Sequence, residues 1–382
     1  MKIFILGSST TKFGELWGES LGSLGKEAFE YALLDSGLER KNIDALFVGN
    51  MLSGVLGGQE HLGAFFTEEL GLKVPAFKIE GACASGGLVL HNAINSILSN
   101  QYKTVAVLGV EKMTDYKSEV VASALMGAGS EEERLSGITF PGLYALMARS
   151  YMSRFGTTEK QLATVSVKNH YHASLNPNAQ FNNLLTVGEV VKSPYVADPL
   201  KLLECSPISD GASVVIISNK RFSKKKVQIV ASSVAVDTLG LSKRENFTEL
   251  ATTQKASKVA YKIANINPKD VDIAEVHDCF SIAEIFAIED LGFYKKGFAA
   301  VAVAKGETTL GISKHLVVNT SGGLKGCGHP VGATGIKQIV EIAHQLEGHA
   351  GKRQVKDARI GLAQNVGGSG GTAVVHILKN YD

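Results

Sequence analysis

Three stretches far apart in the chain carry residue types that do nucleophilic and proton-transfer chemistry. In the first, Glu80-Gly-Ala-Cys-Ala-Ser-Gly-Gly87, a cysteine flanked by small residues stands just before an apolar run of helical spacing through Leu88, Val89, Leu90, Ala93, Ile94, Ile97 and Leu98. That spacing places Cys83 at the start of a buried helix, where unpaired N–H groups and the helix dipole favour the thiolate. Gly81, Ala82, Ala84, Gly86 and Gly87 leave room for a bulky substrate to reach the sulfur. The competing reading is an inert core cysteine at a strand-to-helix turn, the usual fate of a free thiol.

The second stretch, Glu275-Val-His-Asp-Cys-Phe280, lies at the end of a predicted strand, and the third, Gly322-Gly-Leu-Lys-Gly-Cys-Gly-His-Pro-Val-Gly-Ala-Thr-Gly335, is a glycine-rich loop opening a helix. The dipole at a helix start disfavours an imidazolium, which suits a neutral His329 that must accept a proton from a thiol. Taken alone, His329 also reads as a structural histidine. A last glycine loop, Gln364-Asn-Val-Gly-Gly-Ser-Gly-Gly-Thr372, is a place for main-chain N–H groups to meet a ligand oxygen. A phosphate cradle is the rival there, but the loop has no Lys-Ser/Thr ending and no dinucleotide spacing. His277, Cys279, Cys327 and His329 are also the ligand types of a structural zinc, although one-residue spacers are short for chelating loops.

The elements that must position these residues follow one pattern written twice. A first strand at Lys2-Ile-Phe-Ile-Leu-Gly7, a helix over 21–38, a strand over 43–49, a glycine-rich stretch, a helix ending near Leu72, the Cys83 helix and a strand over 104–109 imply a sheet covered by helices on both faces. From Glu111 to about Pro199 the alternation stops; this segment reads as an inserted lobe over the site, or as a dimerisation arm, with helices over 143–155 and 159–172. A turn and strand at 206–217 follow, and Asn219-Lys-Arg-Phe-Ser-Lys-Lys-Lys226 marks a break in composition. The pattern then returns, with a strand over 227–236, a helix over 257–266, a strand over 271–276, the helix after His329 and a strand over 360–363. A duplicated α/β unit of about 150 residues accounts for this. The halves are 1–222, including the lobe at about 111–199, and 223–382. Equivalent helix starts can then meet across a pseudo-twofold axis, bringing Cys83 to His329.

The 382 residues suffice for a large core, and 45% hydrophobic content with 20% charge is that of a globular chain. A formal net charge of +2 asks for neither nucleic acid nor an anionic membrane. Four widely spaced cysteines suggest reduced thiols and a cytoplasmic setting. The first apolar run is too short for a signal peptide, and no apolar run long enough for a bilayer span occurs.

Gly81-Ala-Cys-Ala-Ser-Gly-Gly87, His277-Asp-Cys-Phe280, Gly328-His-Pro-Val-Gly-Ala-Thr-Gly335 and the final glycine loop, in this order, resemble the thiolase superfamily over the whole chain. The His-Asp-Cys-Phe form is similar to the sterol-carrier-protein type. Lys12-Phe-Gly-Glu-Leu-Trp17, Gly58-Gln-Glu-His61, Gly109-Val-Glu-Lys-Met-Thr-Asp115, Phe140-Pro-Gly-Leu-Tyr144 and Ala197-Asp-Pro-Leu200 resemble the archaeal acetoacetyl-CoA thiolases of the mevalonate pathway. The resemblance implies a five-layered αβαβα sandwich of two halves with a loop lobe. It implies Cys83 as the acylated nucleophile and His329 as its base, which also polarises the thioester oxygen of the next step. His277 becomes a donor to the oxygen of the second acetyl-CoA, and the N–H groups of Cys83 and Gly367 an oxyanion hole. Where most thiolases carry a cysteine base at the start of the terminal loop, this chain has Asn365; the base is then Cys279, with Cys327 its rival.

Also implied are condensation of two acetyl-CoA to acetoacetyl-CoA and CoA, coenzyme A as substrate and product with no permanently bound cofactor, and a homodimer or homotetramer. A complex with 3-hydroxy-3-methylglutaryl-CoA synthase through a small zinc-ribbon/OB-fold protein belongs to the same resemblance. The alternatives are the same chemistry on a longer or aromatic 3-ketoacyl-CoA, or a non-catalytic acyl-binding scaffold.

Overall fold

A computed structural model describes residues 2–221 and 227–381. The lysine-rich end of the composition break, and with it the expected boundary between halves, lies outside the described residues. The strands are β1 (Ile3–Thr10), β2 (Ala45–Gly49), β3 (Ala76–Ile79), β4 (Thr104–Glu111), β5 (Tyr195–Ala197), β6 (Leu200–Lys201), β7 (Gly211–Ser218), β8 (Val227–Val236), β9 (Ile273–Glu275), β10 (Val317–Val318), β11 (Ile360–Gly367) and β12 (Thr372–Asn380).

The order β10-β9-β11-β12-β8-β1-β7-β4-β2-β3 reads the same from both ends once the second half is matched to the first. β8 corresponds to β1, β9 to β2, β10 to β3, β11 to β4 and β12 to β7. In each half the two outer pairings are parallel and the two inner ones antiparallel. The halves join edge to edge through only two residue pairs, Ile3 with Ile229 and Phe4 with Gln228.

Helices Ser85–Leu98 and Val331–Glu347 each touch strands of both halves and touch one another, so the ladder folds back around them and they form a middle layer. Helices Leu21–Ser36 and Leu62–Glu69 cover the outer face of the first half; Ala251–Ala264 covers the second, with Ser281–Asp290 beside it. The result is the five-layered α/β sandwich.

Sequence dictates the middle layer from both sides. Val89, Leu90, Ala93, Ile94 and Ile97 of the first helix enter one core with Phe47, Val105 and Val107 of the front half and Ile229, Ala363 and Leu378 of the rear. The second helix is buried on nearly every face although it carries Lys337 and Glu341. Its polar side is satisfied internally, by Lys337 to Glu275 at 3.3 Å and by Arg353 to Glu341 at 2.9 Å, the condition for burying charge. Where the two helices start, glycine is required by space: a Cβ on Gly86 would stand 2.7 Å from the Gly335 nitrogen, and one on Gly335 only 2.3 Å from the Gly87 nitrogen.

The segment between β4 and β7 is the expected lobe, built on helices Ser118–Leu125, Phe140–Phe155 and Glu159–Ser174 and the small β5–β6 hairpin. In its Glu131-Glu-Glu133 run the first two carboxylates are exposed and the third is buried. Ser130 and Glu133 form a capping box, and the Glu133 carboxylate also accepts the Leu241 N–H at 2.7 Å. No helix among the described residues is long and apolar enough to cross a membrane.

Gly335→Ala is expected to cost about 1–3 kcal/mol, the usual range for overpacking a dense interior, and to disturb the Gly87 bond to Asn365 as well. Thermal denaturation monitored by circular dichroism checks this; an unchanged melting temperature would mean that the two helix starts do not meet as described.

Candidate active site

The turn before the Ser85–Leu98 helix is tightly wound. Ala82 sits at φ 54°, and the Ser85 hydroxyl accepts the Gly81 N–H at 3.0 Å while donating to the Ala82 carbonyl at 2.6 Å. This lifts Cys83 out of the helix, two residues before its first turn. Across the middle layer, His329 precedes the Val331–Glu347 helix by the Pro330 cap. Its main-chain N–H donates to the Ser209 hydroxyl at 2.9 Å. The Glu111 carboxylate ties this helix start to the front half, accepting N–H groups of Met51 at 3.0 Å, Leu52 at 3.0 Å and Gly332 at 3.1 Å. His277 follows β9, held by its N–H to the Gln364 side chain at 2.8 Å. The Cys83 sulfur and one ring nitrogen from each of His277 and His329 lie within 4.8 Å of one another, and the two rings meet edge to face at 5.1 Å.

Hydrogen bonding assigns the two rings opposite roles. The one proton of the Thr334 hydroxyl goes to the Pro330 carbonyl at 3.0 Å, so its oxygen accepts from His329 Nδ1 at 2.7 Å; His329 Nε2 is left as a proton acceptor. Asn365 is fixed by three contacts: its Oδ1 accepts the Gly87 N–H at 2.9 Å, and its Nδ2 donates to the Cys83 carbonyl at 2.9 Å and to His277 Nδ1 at 3.1 Å. His277 therefore carries its proton on Nε2. That atom is buried with no hydrogen-bond partner among the described residues. An unpartnered buried donor is costly unless a ligand oxygen completes it.

A cavity of about 390 Å³ opens onto this group. Cys83, His329, Gly368, Cys279, Phe280 and Cys205 line its inner end, and the lobe supplies Ala122, Leu125, Phe140, Pro141, Tyr144 and Val196. The lobe thus forms one wall of the site. Cys279 faces the cavity; Cys327 does not, being packed with Phe13, Ala173, Ala179 and Ala333. Asp278, between His277 and Cys279, turns away from the cavity into an ion pair with Lys325 at 3.0 Å and accepts the Leu324 N–H at 2.7 Å.

One sequence expectation changes here. The helix start does not make Cys83 a resting thiolate. Burial pushes its thiol up to about 12, with Glu111 and Glu80 adding to the rise, although N–H groups of Gly368 and of Cys83 itself point to the sulfur and oppose it. Desolvation outweighs the dipole because the sulfur sits at an apolar cavity wall, largely removed from water. The terminal-loop N–H that reaches the sulfur belongs to Gly368, next to the Gly367 expected in the oxyanion hole. Finally, the four residues of the zinc alternative are not gathered: the cluster of potential ligands found among the described residues is Cys83, His277 and His329.

Burial also holds both imidazoles neutral. His277 is lowered to about 4 by burial, with Asp278 opposing and Lys337 assisting. His329 falls well below its ordinary value through burial and the neighbouring His277. The Cys279 thiol is raised, by burial first and then by nearby Cys83. Tyr144, Ser209 and Thr334 carry no role in the sequence reading. Thr334 lies inside the quoted glycine motif and Ser209 in the turn before β7, so position was visible and function was not.

A two-fold repeated sandwich holding a cysteine and two histidines at its middle layer defines a class of thiol-nucleophile enzymes. Residues 3–221 match the family Thiolase, N-terminal domain, and residues 233–380 match Thiolase C-terminal domain-like; the chain belongs to the thiolase family. It is 47% identical to acetyl-CoA acetyltransferase of Methanothermobacter thermautotrophicus over 99% of both chains. Sterol carrier protein 2 of Rattus norvegicus is 32% identical over 99% of this chain and 72% of that one. Among solved structures, the Ltp2-ChsH2(DUF35) aldolase has the same fold, with a TM-score of 0.84 at 22% identity over 99% of this chain and 98% of that chain.

The raised Cys83 thiol makes its ionisation a high-pH event. Alkylation of Cys83 by iodoacetamide, followed by mass spectrometry of its peptide, is expected to be slow at pH 7 and to rise about tenfold per pH unit through pH 8–10. A plateau between pH 6 and 8 would instead reveal a resting thiolate–imidazolium pair.

Proposed function

We propose that the chain is an acetyl-CoA C-acetyltransferase, joining two acetyl-CoA into acetoacetyl-CoA and CoA by a ping-pong Claisen condensation through an acetyl thioester on Cys83. The observation that carries this reading is the meeting of a nucleophilic sulfur, a proton-accepting imidazole and a proton-donating, unpartnered imidazole within 4.8 Å, with the sulfur and the accepting imidazole lining one cavity.

His329 Nε2 takes the Cys83 proton as the sulfur attacks the first acetyl-CoA. The oxyanion falls to the N–H groups of Cys83 and Gly367, with the Gly368 N–H beside the sulfur. Cys279 then gives its proton to the departing CoA sulfur, leaving a Cys279 thiolate and a His329 imidazolium. Second, a new acetyl-CoA places its thioester oxygen between the N–H of His277 and the N–H now on His329, while the Cys279 thiolate removes the α-proton. The enolate attacks the Cys83 acetyl group, and Cys83 leaves and recovers its proton from His329. Every group returns to its starting state. Cys327, outside the cavity, takes no part in this scheme.

Coenzyme A enters and leaves as substrate and product. A homodimer or homotetramer, supply of acetoacetyl-CoA to the mevalonate pathway in the cytoplasm, and a division into catalytic halves at 222/223 belong to the same proposal. So does a complex with 3-hydroxy-3-methylglutaryl-CoA synthase through a zinc-ribbon/OB-fold protein; the Ltp2 neighbour, named with a DUF35 partner, supports looking for one. The apolar cavity of about 390 Å³ favours a second reading as well, turnover of a longer 3-ketoacyl-CoA, which kinetics across chain lengths separates.

Cys83→Ala should abolish CoA-dependent cleavage of acetoacetyl-CoA, and radiolabelled acetyl-CoA should mark the wild type at Cys83 alone. Cys279→Ser should still take label on Cys83 while condensation falls about 10²–10⁴-fold, the usual cost of losing a general base. Label on any other residue would defeat the assignment. Since both histidines stay neutral well below the ordinary imidazole range, the acylation rate should show no decline near pH 6.5, measured as the burst of CoA release.

A further inference from the structure

Tyr144 belongs to the buried face of the lobe helix Phe140–Phe155 and is 1% exposed, yet its hydroxyl reaches the working end of the cavity. The ring packs on Phe280 of the His-Asp-Cys-Phe motif at 4.7 Å and 34° between planes, which fixes where the hydroxyl points. That hydroxyl donates to the Gly368 carbonyl at 3.1 Å, and Cys279 lines the same cavity, near enough for the two groups to shift each other's acidity. Gly368 is the residue whose N–H meets the Cys83 sulfur. One phenol therefore bonds the residue whose N–H faces the nucleophile and shares a cavity wall with the thiol assigned as base.

We infer that Tyr144 is a positioning residue that passes a single hydrogen bond between Gly368 and Cys279 during the catalytic cycle. This rests on the acyl-transfer reading above. In the resting site the phenol donates to the Gly368 carbonyl. When Cys279 gives its proton to the leaving CoA sulfur, its thiolate becomes the stronger acceptor, and the phenol O–H rotates from Gly368 to Cys279. The phenol keeps its proton throughout, so charge stays on Cys279 and His329. A phenol suits this task because, buried here, it is pushed well above its ordinary acidity range and does not give up its proton to the thiolate. A hydrogen bond to a charged group is stronger than one to a neutral group, which sets the direction of the exchange.

The test compares wild type, Tyr144→Phe, Cys279→Ser and the double variant in two partial reactions across pH 6–10. One is labelling of Cys83 by radiolabelled acetyl-CoA; the other is exchange of the acetyl-CoA methyl protons into D2O, which requires the base. Tyr144→Phe is expected to slow exchange about 10- to 100-fold and to move its half-maximal pH upward, because the thiolate loses a donor, with Cys83 labelling slowed less. In the Cys279→Ser background the same change should add little. Equal exchange rates and an unmoved pH midpoint in Tyr144→Phe would overturn the inference, as would an equal loss in both backgrounds. Should Tyr144→Phe melt well below wild type, 3-fluorotyrosine at 144, which keeps the shape and strengthens the donor, is to be used: a half-maximal pH moved downward supports the inference, and an unmoved one overturns it. A wild type that neither takes label nor exchanges would instead refute the acyl-transfer reading itself.

Discussion

The site depends on a backbone contact. Gly86 and Gly335 let the starts of two helices, one from each half, approach so closely that a single methyl group on either would collide with the other's main chain. The sulfur and the imidazole that faces it hang from those two starts: Cys83 precedes one by two residues and His329 the other by two. Because the strand ladder joins the halves through only two residue pairs, the relation between sulfur and imidazole is set by helix packing and by the Glu111 carboxylate that spans the gap. A dense interior resists small shifts, so the separation is fixed before any substrate enters.

Burial then decides the electrostatics. Each of Cys83, His277, His329 and Cys279 is shifted toward its neutral form. A lone charge on any of them is costly, but two opposite charges created in one step offset each other: at about 5 Å and an effective dielectric near 20, their attraction is about 3–4 kcal/mol. A site of this kind resists water-driven ionisation at rest and becomes polar when a substrate carbonyl and a leaving sulfur take part. The apolar cavity wall from the lobe works in the same direction by keeping the dielectric low.

Much of this was readable in the chain. The repeated order of elements announces the pseudo-twofold that brings Cys83 and His329 together, whereas Gly86 and Gly87, read as room for substrate, instead admit Gly335 and Asn365. The short edge strands Ala76–Ile79 and Val317–Val318 went unread because four or two residues show no period. The thiolate expectation failed for a quantitative reason: a helix start is worth a few tenths to about 2 kcal/mol, while full burial of a charge costs more. Tyr144, inside a quoted motif, had no visible role because the residues it touches lie far from it in sequence.

Asn365 shows how one substitution reorganises a site. At the position where most thiolases carry a cysteine base, an amide with its oxygen and both N–H groups committed has no capacity to take up a proton. It does something else, fixing the His277 tautomer so that the free nitrogen carries hydrogen, and tying the Cys83 carbonyl to the same atom. Proton removal must then come from another residue on the cavity wall. The His-Asp-Cys-Phe motif meets both needs within three residues: His277 takes its tautomer from the amide, Asp278 anchors the turn through Lys325, and Cys279 faces the cavity. The terminal-loop asparagine and the cysteine of that motif are thus two parts of one arrangement, and a chain that kept one while losing the other would hold either two competing bases or none.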